Sequence, residues 1–346
     1  MRAAVFDSFG GEIRVERVAD PVPKPDGVVL RVLASGVCRS DWHAWQGHDP
    51  MVRLPHVPGH ELAGEVVAAG AEVRRLREGM RVTVPFVSGC GTCPTCARGD
   101  PQVCDRQYQP GFSGWGSFAE LVALRYADLN VVELPEGLDP VQAATLGCRF
   151  GTSYRAVVEL GRLGAGEWIA VFGCGGVGLS ALCLARALGA RAIGVDIDRE
   201  RLALARQLGA EHVIDARGGD PCDAIAELTG GGAQVAMDAL GDPVTLVQSV
   251  SCLAKRGRHL QVGLLLEDAA RAPMPMDRVI ARELEIYGCH GIKASSYPAL
   301  LAMVGGGRVD LEPLIGRRVA LEEVPHELAQ MSDHSAPSGI AVIDRF

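Results

Sequence analysis

The chain has 346 residues, of which 48% are hydrophobic and 22% charged, and its formal net charge is -8. This ordinary globular composition excludes a disordered chain, a collagen and a coiled coil, and the length predicts about two domains. The acidic balance, without a basic block, argues against a nucleic-acid-binding protein. No long apolar stretch follows Met1, so we expect no signal peptide and a cytoplasmic location in which thiols stay reduced.

The first part of the chain, up to about residue 148, is predicted to be rich in β-structure. Apolar runs at 28–34, 61–67 and 81–84 predict short strands. Glycine and proline interrupt these runs often, which is typical of β-sandwiches and barrels.

Four cysteines lie close together in this part of the chain, with the spacing C-x2-C-x2-C-x7-C: Cys90, Cys93, Cys96 and Cys104. Four thiolates on an irregular loop can surround one zinc ion in a closed tetrahedral site, so the spacing predicts structural zinc. An iron–sulfur cluster is the main alternative. Free thiols or two disulfides are the others, and the odd total of 11 cysteines fits poorly with a fully paired disulfide framework.

A second ligand set is spread along the sequence, in Cys38, His60 and Cys148. Each of these residues alone is more often a packed or solvated side chain than a ligand. Together they make up the Cys, His and Cys set of a catalytic zinc with one open position.

The pattern changes near residue 150 to alternating strands and helices. Strands are predicted at 169–172, 192–195, 212–214, 235–237 and 260–262, and helices at 177–188 and 200–208. This alternation predicts a parallel sheet with crossover helices over 150–291, whereas 1–149 and 292–346 form the β-rich domain. The stretch 169–188 has the length of a membrane span, but its glycines and Arg186 argue against that interpretation.

A glycine-rich turn follows the first of these strands and opens a helix, the context that a dinucleotide site requires. Gly173, Gly175 and Gly178 satisfy G-x-G-x-x-G, and Gly176 and Val177 complete the turn. In such a turn the first glycine allows the tight bend, the second lets backbone N–H groups approach a pyrophosphate, and the third permits close packing.

Asp196 lies 18 residues after Gly178, at the end of the next predicted strand. A carboxylate there can accept hydrogen bonds from both ribose hydroxyls and repel a 2′-phosphate, so NAD is favoured over NADP. Arg199 and Arg201 lie nearby and could soften this preference. The alternative is a surface aspartate at a strand end.

Four motifs now stand in one order: C-R-S-D-x-H at 38–43, G-H-E-x-x-G-E at 59–65, the four-cysteine lobe and the glycine-rich turn. In this order the chain resembles, over essentially its whole length, the zinc-containing alcohol dehydrogenases of the medium-chain dehydrogenase/reductase superfamily. The resemblance implies an α/β protein with a Rossmann-type cofactor domain and a GroES-like β-rich catalytic domain. It also implies NAD-linked interconversion of an alcohol with an aldehyde or ketone, and two zinc ions per chain, one catalytic and one structural.

The resemblance gives roles to the residues around the catalytic metal. Cys38, His60 and Cys148 match its ligands, and Glu61 matches an acidic residue beside the zinc that can approach it during ligand exchange. Asp41 matches a carboxylate that orients His60, a role that fixes the ring of a ligating histidine.

The resemblance also implies a proton path and a cofactor contact. Ser40 matches the hydroxyl that hydrogen-bonds the substrate oxygen, and His43 matches the outer end of a relay through the cofactor ribose. Taken alone, Ser40 is a capping hydroxyl and His43 a surface histidine. Arg39 matches a basic residue that faces the pyrophosphate, whereas Ile340 stands where many members have a second basic residue.

Aromatic residues near these motifs are candidates for the substrate pocket. Trp45 and Phe86 match pocket positions of relatives, and Trp115 lies close to the motifs in sequence. Large apolar walls favour an apolar or aromatic alcohol, although some of these rings could be plain core. Polyol dehydrogenases of the superfamily usually have Glu at the position of Cys148, which argues against a sugar alcohol.

The apolar stretch 285–289 is a candidate edge strand, and unpaired apolar edges invite pairing with a second copy. We therefore expect a homodimer or homotetramer, the tetramer being favoured by resemblance to bacterial members, with no nucleic-acid or membrane partner. Two other functions stay open: a zinc-free quinone or enoyl reductase of the same superfamily, and an NAD-binding protein without activity. Intact metal ligands argue against the first, and intact Ser40 and His43 against the second.

Overall fold

The computed structural model describes residues 1–332 and 337–346. The strands in the described residues are β1 (Arg2–Val5), β2 (Arg14–Arg17), β3 (Val28–Val37), β4 (Glu61–Ala69), β5 (Arg81–Thr83), β6 (Leu121–Leu124), β7 (Val132–Glu133), β8 (Trp168–Phe172), β9 (Arg191–Asp196), β10 (His212–Asp215), β11 (Ala233–Asp238), β12 (Leu253–Gln261), β13 (Glu285–Gly288), β14 (Ile315–Ala320) and β15 (Ile340–Arg345). The α-helices there are α1 (Arg39–Trp45), α2 (Pro94–Ala97), α3 (Ala127–Asn130), α4 (Pro140–Ala144), α5 (Arg149–Tyr154), α6 (Gly176–Ala187), α7 (Arg199–Leu208), α8 (Pro221–Thr229), α9 (Pro243–Ser251), α10 (Met276–Ala281), α11 (Tyr297–Gly305) and α12 (Val324–Gln330).

The chain forms two compact units. The first contains Met1–Gly151, Gly291–Gly305 and Ile315–Phe346, and the second contains Thr152–His290 and Gly306–Leu314. The sequence-based division assigned 306–314 to the β-rich domain, but this stretch packs with the second unit. The reason is contact with α6, since Arg308 donates to the carbonyl of Ala187 at 2.8 Å.

The first unit is built on a seven-stranded sheet in the order β14-β15-β3-β4-β5-β7, with β6 also paired to β3. The predicted strands at 28–34, 61–67 and 81–84 are confirmed as β3, β4 and β5, with ends shifted by up to three residues. The core side of β3 and β4 is apolar because Leu30, Val32, Leu62 and Val66 are buried together. The ends of β3 and β4 carry the two metal-site motifs.

The second unit contains a six-stranded sheet in the order β10-β9-β8-β11-β12-β13. Every neighbouring pair in it is parallel, as the alternation of strands and helices predicts. The strand order reverses between β8 and β11, and in parallel α/β sheets ligands bind at such a switch point. β13 is an edge strand, in agreement with the prediction for 285–289.

The apolar stretch 169–188 is divided between β8 and α6 by the glycine-rich turn. Over the described ranges 1–332 and 337–346, no helix is long and apolar enough to cross a membrane.

Candidate active site and metal centres

Asp41 fixes the positions of the predicted metal ligands Cys38 and His60 through hydrogen bonds. Cys38 follows the end of β3 directly, and its backbone N–H donates to Oδ2 of Asp41 at 2.9 Å. Oδ1 of the same carboxylate accepts from the N–H of Gly59 at 2.9 Å and from Nδ1 of His60 at 2.8 Å. Asp41, His60 and Cys38 are all buried. Asp41 therefore holds the imidazole so that Nδ1 carries its proton and Nε2 offers a lone pair.

That lone pair has no protein partner, although Nε2 of His60 is buried. Buried polar atoms almost always have a partner, so the atom points to a group that the protein binds. The ligand atoms of Cys38, His60, Glu61 and Cys148 all lie within 4.8 Å of one another. Both cysteines are free thiols. Two sulfurs, one imidazole nitrogen and a nearby carboxylate are a donor set that fits zinc.

Glu61 has a partner that the sequence reasoning did not assign. Its Oε1 accepts from the backbone N–H of Arg149 at 2.9 Å, and both oxygens accept from Nε of Arg149 at 3.0 Å. Burial raises the pKa of Glu61, and the Arg149 guanidinium opposes that rise. Gly36 makes room for the pair, because a Cβ there would lie 2.4 Å from Oε2 of Glu61. The one sequence feature that could have indicated this partner is the position of Arg149 directly after the predicted ligand Cys148.

The four-cysteine lobe forms a second cluster. The sulfurs of Cys90, Cys93, Cys96 and Cys104 lie within 4.8 Å of one another, and none is in a disulfide. Backbone N–H groups point at these sulfurs: that of Cys90 donates to Cys104 at 3.4 Å, and that of Cys96 donates to Cys93 at 3.4 Å. Burial raises the pKa of Cys90, but hydrogen bonds centred on Thr92 outweigh it and lower the pKa to about 5, whereas burial raises the pKa of Cys96 to about 12. N–H groups aimed at sulfur stabilise thiolates, so the lobe suits a structural metal.

Two aromatic rings lie against His60. Phe86 meets the imidazole edge-on with ring centroids 6.0 Å apart, and Phe112 lies tilted against it at 5.1 Å. Phe112 was not predicted from the sequence. It reaches this place because its loop pairs with the segment before His60, where Gly116 donates to the carbonyl of Val57 at 2.8 Å.

Trp45 and Trp115 have other surroundings. Nε1 of Trp45 donates to the carbonyl of Gly11 at 2.8 Å, and its ring packs against the core of the first unit. Trp115 is 37% exposed, and its Nε1 donates to the carbonyl of Pro55 at 3.1 Å. It borders a surface depression that Met1 and Tyr108 also line. Neither tryptophan takes the place beside His60 that Phe86 and Phe112 hold.

Ser40 and His43 both lie on α1, one turn apart. Each is half-buried, and Nδ1 of His43 lies 2.9 Å from Nδ1 of His48. Burial, with the charges of Arg39 and His48, lowers the pKa of His43 to about 4. At neutral pH this ring is therefore uncharged and able to accept a proton.

Arg39 opens α1, and its guanidinium already has partners within the first unit. It lies 4.1 Å above the ring of Trp42 and also donates to the carbonyl of Met331. Ile340, at the position where relatives carry a basic residue, is buried as the first residue of β15.

The glycine-rich turn has the geometry of a phosphate cradle. Gly173 has φ +91, which favours glycine, and its N–H donates to the carbonyl of Val195 at 2.8 Å. A Cβ at Gly178 would lie 1.9 Å from the oxygen of Gly173, whereas a Cβ at Gly175 would meet nothing within 4 Å. Gly176 and Val177 open the 12-residue helix α6, where the first N–H groups have no intrahelical acceptor. The turn therefore presents open space and free backbone donors to an anion.

Asp196 ends β9 beside this turn. Its Oδ2 accepts from the N–H of Cys174 at 2.7 Å, and Oδ1 accepts from Ile197 at 2.7 Å and Asp198 at 2.9 Å. These bonds set the direction of the carboxylate, whose remaining lone pairs can still accept. Arg201 lies in the first turn of α7, and its backbone N–H donates to Asp198 at 3.1 Å.

Known proteins resemble this chain in both sequence and fold. Residues 176–305 match the family described as zinc-binding dehydrogenase, and 24–136 match the alcohol dehydrogenase GroES-like domain. An alcohol dehydrogenase of Rhizobium meliloti is 38% identical over 267 residues, which are 76% of this chain and 77% of that protein. An NAD-dependent alcohol dehydrogenase of Sulfurisphaera tokodaii is 31% identical and covers 97% of this chain and 98% of its own. The crystal structure of benzyl alcohol dehydrogenase from Acinetobacter calcoaceticus superposes with a TM-score of 0.91 at 28% identity, covering 100% of this chain and 99% of that one.

Proposed function

This chain belongs to the zinc-containing alcohol dehydrogenase family, and we propose that it catalyses the reversible NAD-linked oxidation of an apolar or aromatic alcohol to an aldehyde or ketone. The observation that carries the proposal is the set Cys38, His60 and Cys148, of which the first two are buried and the third half-buried, and in which Nε2 of His60 has no protein partner. An intact ligand set of this kind argues against a zinc-free reductase. The Gly173–Gly178 cradle supports use of a dinucleotide.

Cys38, His60 and Cys148 would hold the catalytic zinc, which supplies Lewis-acid chemistry that lowers the pKa of an alcohol hydroxyl. The residues of the chain have separate tasks around it. Asp41 keeps the His60 ring in the one orientation that presents Nε2. Glu61 is held by Arg149 beside the ligands, in a place from which its carboxylate can approach the metal during ligand exchange.

Proton transfer would use α1. The Ser40 hydroxyl accepts the hydrogen bond of the alcohol and can give up its own proton. His43, which is uncharged at neutral pH because burial lowers its pKa to about 4, accepts a proton at its free ring nitrogen. The closed four-cysteine set would hold a second zinc that stabilises the local fold and takes no part in the reaction.

The substrate class follows from the rings around His60. Phe86 and Phe112 give the site an apolar wall on the metal-ligand side, and such walls suit aromatic and long apolar alcohols. The similar protein of known structure named benzyl alcohol dehydrogenase supports this class. Trp45 and Trp115 remain predicted wall residues on sequence grounds only, and Phe112 is the better candidate.

Cofactor preference depends on Asp196 in this proposal. Two ribose hydrogen bonds to a carboxylate contribute about 1.5–3 kcal/mol each, and about 1.4 kcal/mol is tenfold in kcat/KM. We therefore expect a preference for NAD over NADP of about a hundredfold or more. Asp196→Ala should lower kcat/KM for NAD and reduce the difference in kcat/KM between NAD and NADP. Arg201 could then reach the 2′-phosphate of NADP. Asp215→Ala is the matched control, because Asp215 lies at the end of the neighbouring strand, in register with Asp196.

The deciding experiment combines elemental analysis with an alcohol panel. Purified protein should contain two zinc ions per chain, and NADH should appear at 340 nm with aromatic or apolar alcohols. The catalytic ion should leave first under a chelator because its site is open. Protein that is folded but contains one zinc or none, and that reduces quinones instead, would point to the zinc-free reductase. Full zinc and NAD binding without turnover would point to a binding protein.

Assembly and location complete the proposal. β13 is an edge strand whose residues are half-buried or exposed, so it can pair with the same strand of a second copy. We propose a homotetramer, or failing that a homodimer, in the cytoplasm, where thiolate ligands stay reduced. Light scattering that gives a stable monomer at micromolar concentration would contradict the assembly.

A further inference from the structure

The end of α1 folds back on itself in a way that brings two histidines together. The N–H of Gly47 donates to the carbonyl of Ala44 at 3.2 Å, and that of His48 donates to the carbonyl of His43 at 3.0 Å. These two bonds form a Schellman motif, in which the residue after the glycine packs on the last turn of the helix. Gly47 has φ +80, and a Cβ there would lie 2.9 Å from the ring of Phe9. Glycine at this position therefore places His48 beside His43.

The two imidazoles meet through nitrogen. Their Nδ1 atoms lie 2.9 Å apart, with ring centroids at 5.2 Å. The Trp42 indole lies edge-on to both rings, at 4.9 Å from His43 and 5.5 Å from His48. His43 is half-buried, whereas His48 is exposed. One hydrogen bond thus connects the half-buried His43 to the exposed His48, and the Trp42 ring packs against both imidazoles.

We propose that His48 carries protons between His43 and solvent, so that the proton path of this site has a second histidine as its outer member. The proposal rests on the proposed alcohol dehydrogenase function. During alcohol oxidation, Nε2 of His43 accepts a proton and Nδ1 releases its own to Nδ1 of His48. His48 then releases a proton from Nε2 to water. Both rings are left in their other tautomers, and proton exchange with water restores the first tautomers before the next turnover. No electron or co-reactant is needed, and one proton enters for each that leaves.

The charges around the pair favour transfer rather than storage of the proton. Burial is the main cause that lowers the pKa of His43 to about 4; the charges of Arg39 and His48 lower it further, and the Cys38 sulfur opposes them. A proton that reaches His43 is therefore passed on readily. His48 acts through His43, and replacing it should slow proton release without removing a group from the metal or cofactor sites.

The test is single-turnover stopped flow in weakly buffered solution, with a pH indicator for the proton and absorbance at 340 nm for NADH. In His48→Ala we expect proton appearance to slow about tenfold, since water can replace one relay member only in part; a positioned acid–base group is worth about 100-fold or more. Added imidazole should restore the rate, and no loss of fold would be repaired in that way. His326→Ala is the control, because it removes another exposed histidine that lies outside these sites.

A readout independent of turnover comes from ring 15N chemical shifts of histidine-labelled protein. The shared Nδ1 proton predicts that His48→Ala changes the His43 Nδ1 shift, whereas His326→Ala leaves it unchanged. Proton appearance at the parental rate in His48→Ala overturns the proposal, as does slowing that imidazole does not relieve. A parent protein that makes no NADH with any alcohol refutes the proposed function and this relay with it, whereas an active parent with an unaffected His48→Ala refutes the relay alone.

Discussion

Replacing Asp41 by asparagine tests how the site prepares its histidine ligand. The carboxylate is fully buried and accepts three hydrogen bonds, from Cys38, Gly59 and His60. Asparagine has almost the same volume but only one accepting oxygen. If that oxygen stays with Gly59 and His60, the new NH2 group faces the N–H of Cys38, and two donors then oppose each other.

The expected loss of zinc affinity follows from the one hydrogen bond that asparagine cannot accept. One hydrogen bond to a charged group contributes about 1.5–3 kcal/mol, so zinc affinity at this site should fall by roughly 10–150-fold at about 1.4 kcal/mol per tenfold. This range agrees with the losses of about 10–100-fold that follow removal of groups that orient metal ligands. The four-cysteine lobe contains no contact to Asp41, so its metal should stay bound.

The assay is zinc release against a chromogenic chelator, followed by elemental analysis of the remaining protein. Asp41→Asn should release one zinc at a chelator concentration at which the parent releases none, and activity should disappear in parallel. Asp128→Asn is a matched control, because that carboxylate also accepts two backbone N–H groups, from Arg74 at 2.8 Å and Arg75 at 2.9 Å, but neither bond is to Cys38, Gly59 or His60. Parental zinc retention in Asp41→Asn would refute the view that this carboxylate prepares His60.

Three further predictions concern other parts of the molecule. Cys104→Ser should remove one zinc and lower the melting temperature while the second zinc remains, as elemental analysis and calorimetry will show. Gly178→Ala should weaken NAD binding at least tenfold without changing zinc content, because its Cβ would lie 1.9 Å from the oxygen of Gly173; titration calorimetry measures this. Burial lowers the pKa of His259 from 6.5, so the unfolded chain binds more protons and stability is lost as pH falls through and below that value. His259→Gln should flatten that decline in denaturant titrations between pH 7 and pH 5, and an unchanged slope would contradict it.

The local patterns of the sequence were enough for the chemistry of the ligands and the class of fold. Cysteine spacing predicts a metal lobe because four thiolates within fifteen residues can surround only something small. The alternation of strands and helices after residue 150 predicts a parallel sheet, which the six strands β8 to β13 form. A glycine turn between a strand and a helix predicts a cradle because its steric demands are local, as the 1.9 Å clash at Gly178 illustrates.

Contacts between distant segments could not be predicted in this way. Arg149 meets Glu61 across 88 residues of sequence, and Phe112 reaches His60 only because its loop pairs with the segment before that histidine. Trp115 was chosen as a pocket residue for its nearness in sequence, yet its ring borders a surface depression with Met1 and Tyr108. Spacing and periodicity report which residue types a segment offers and which turns it can make. Which side chains finally touch depends on how strands and loops pair across the unit, and that is decided by the packing of the whole core.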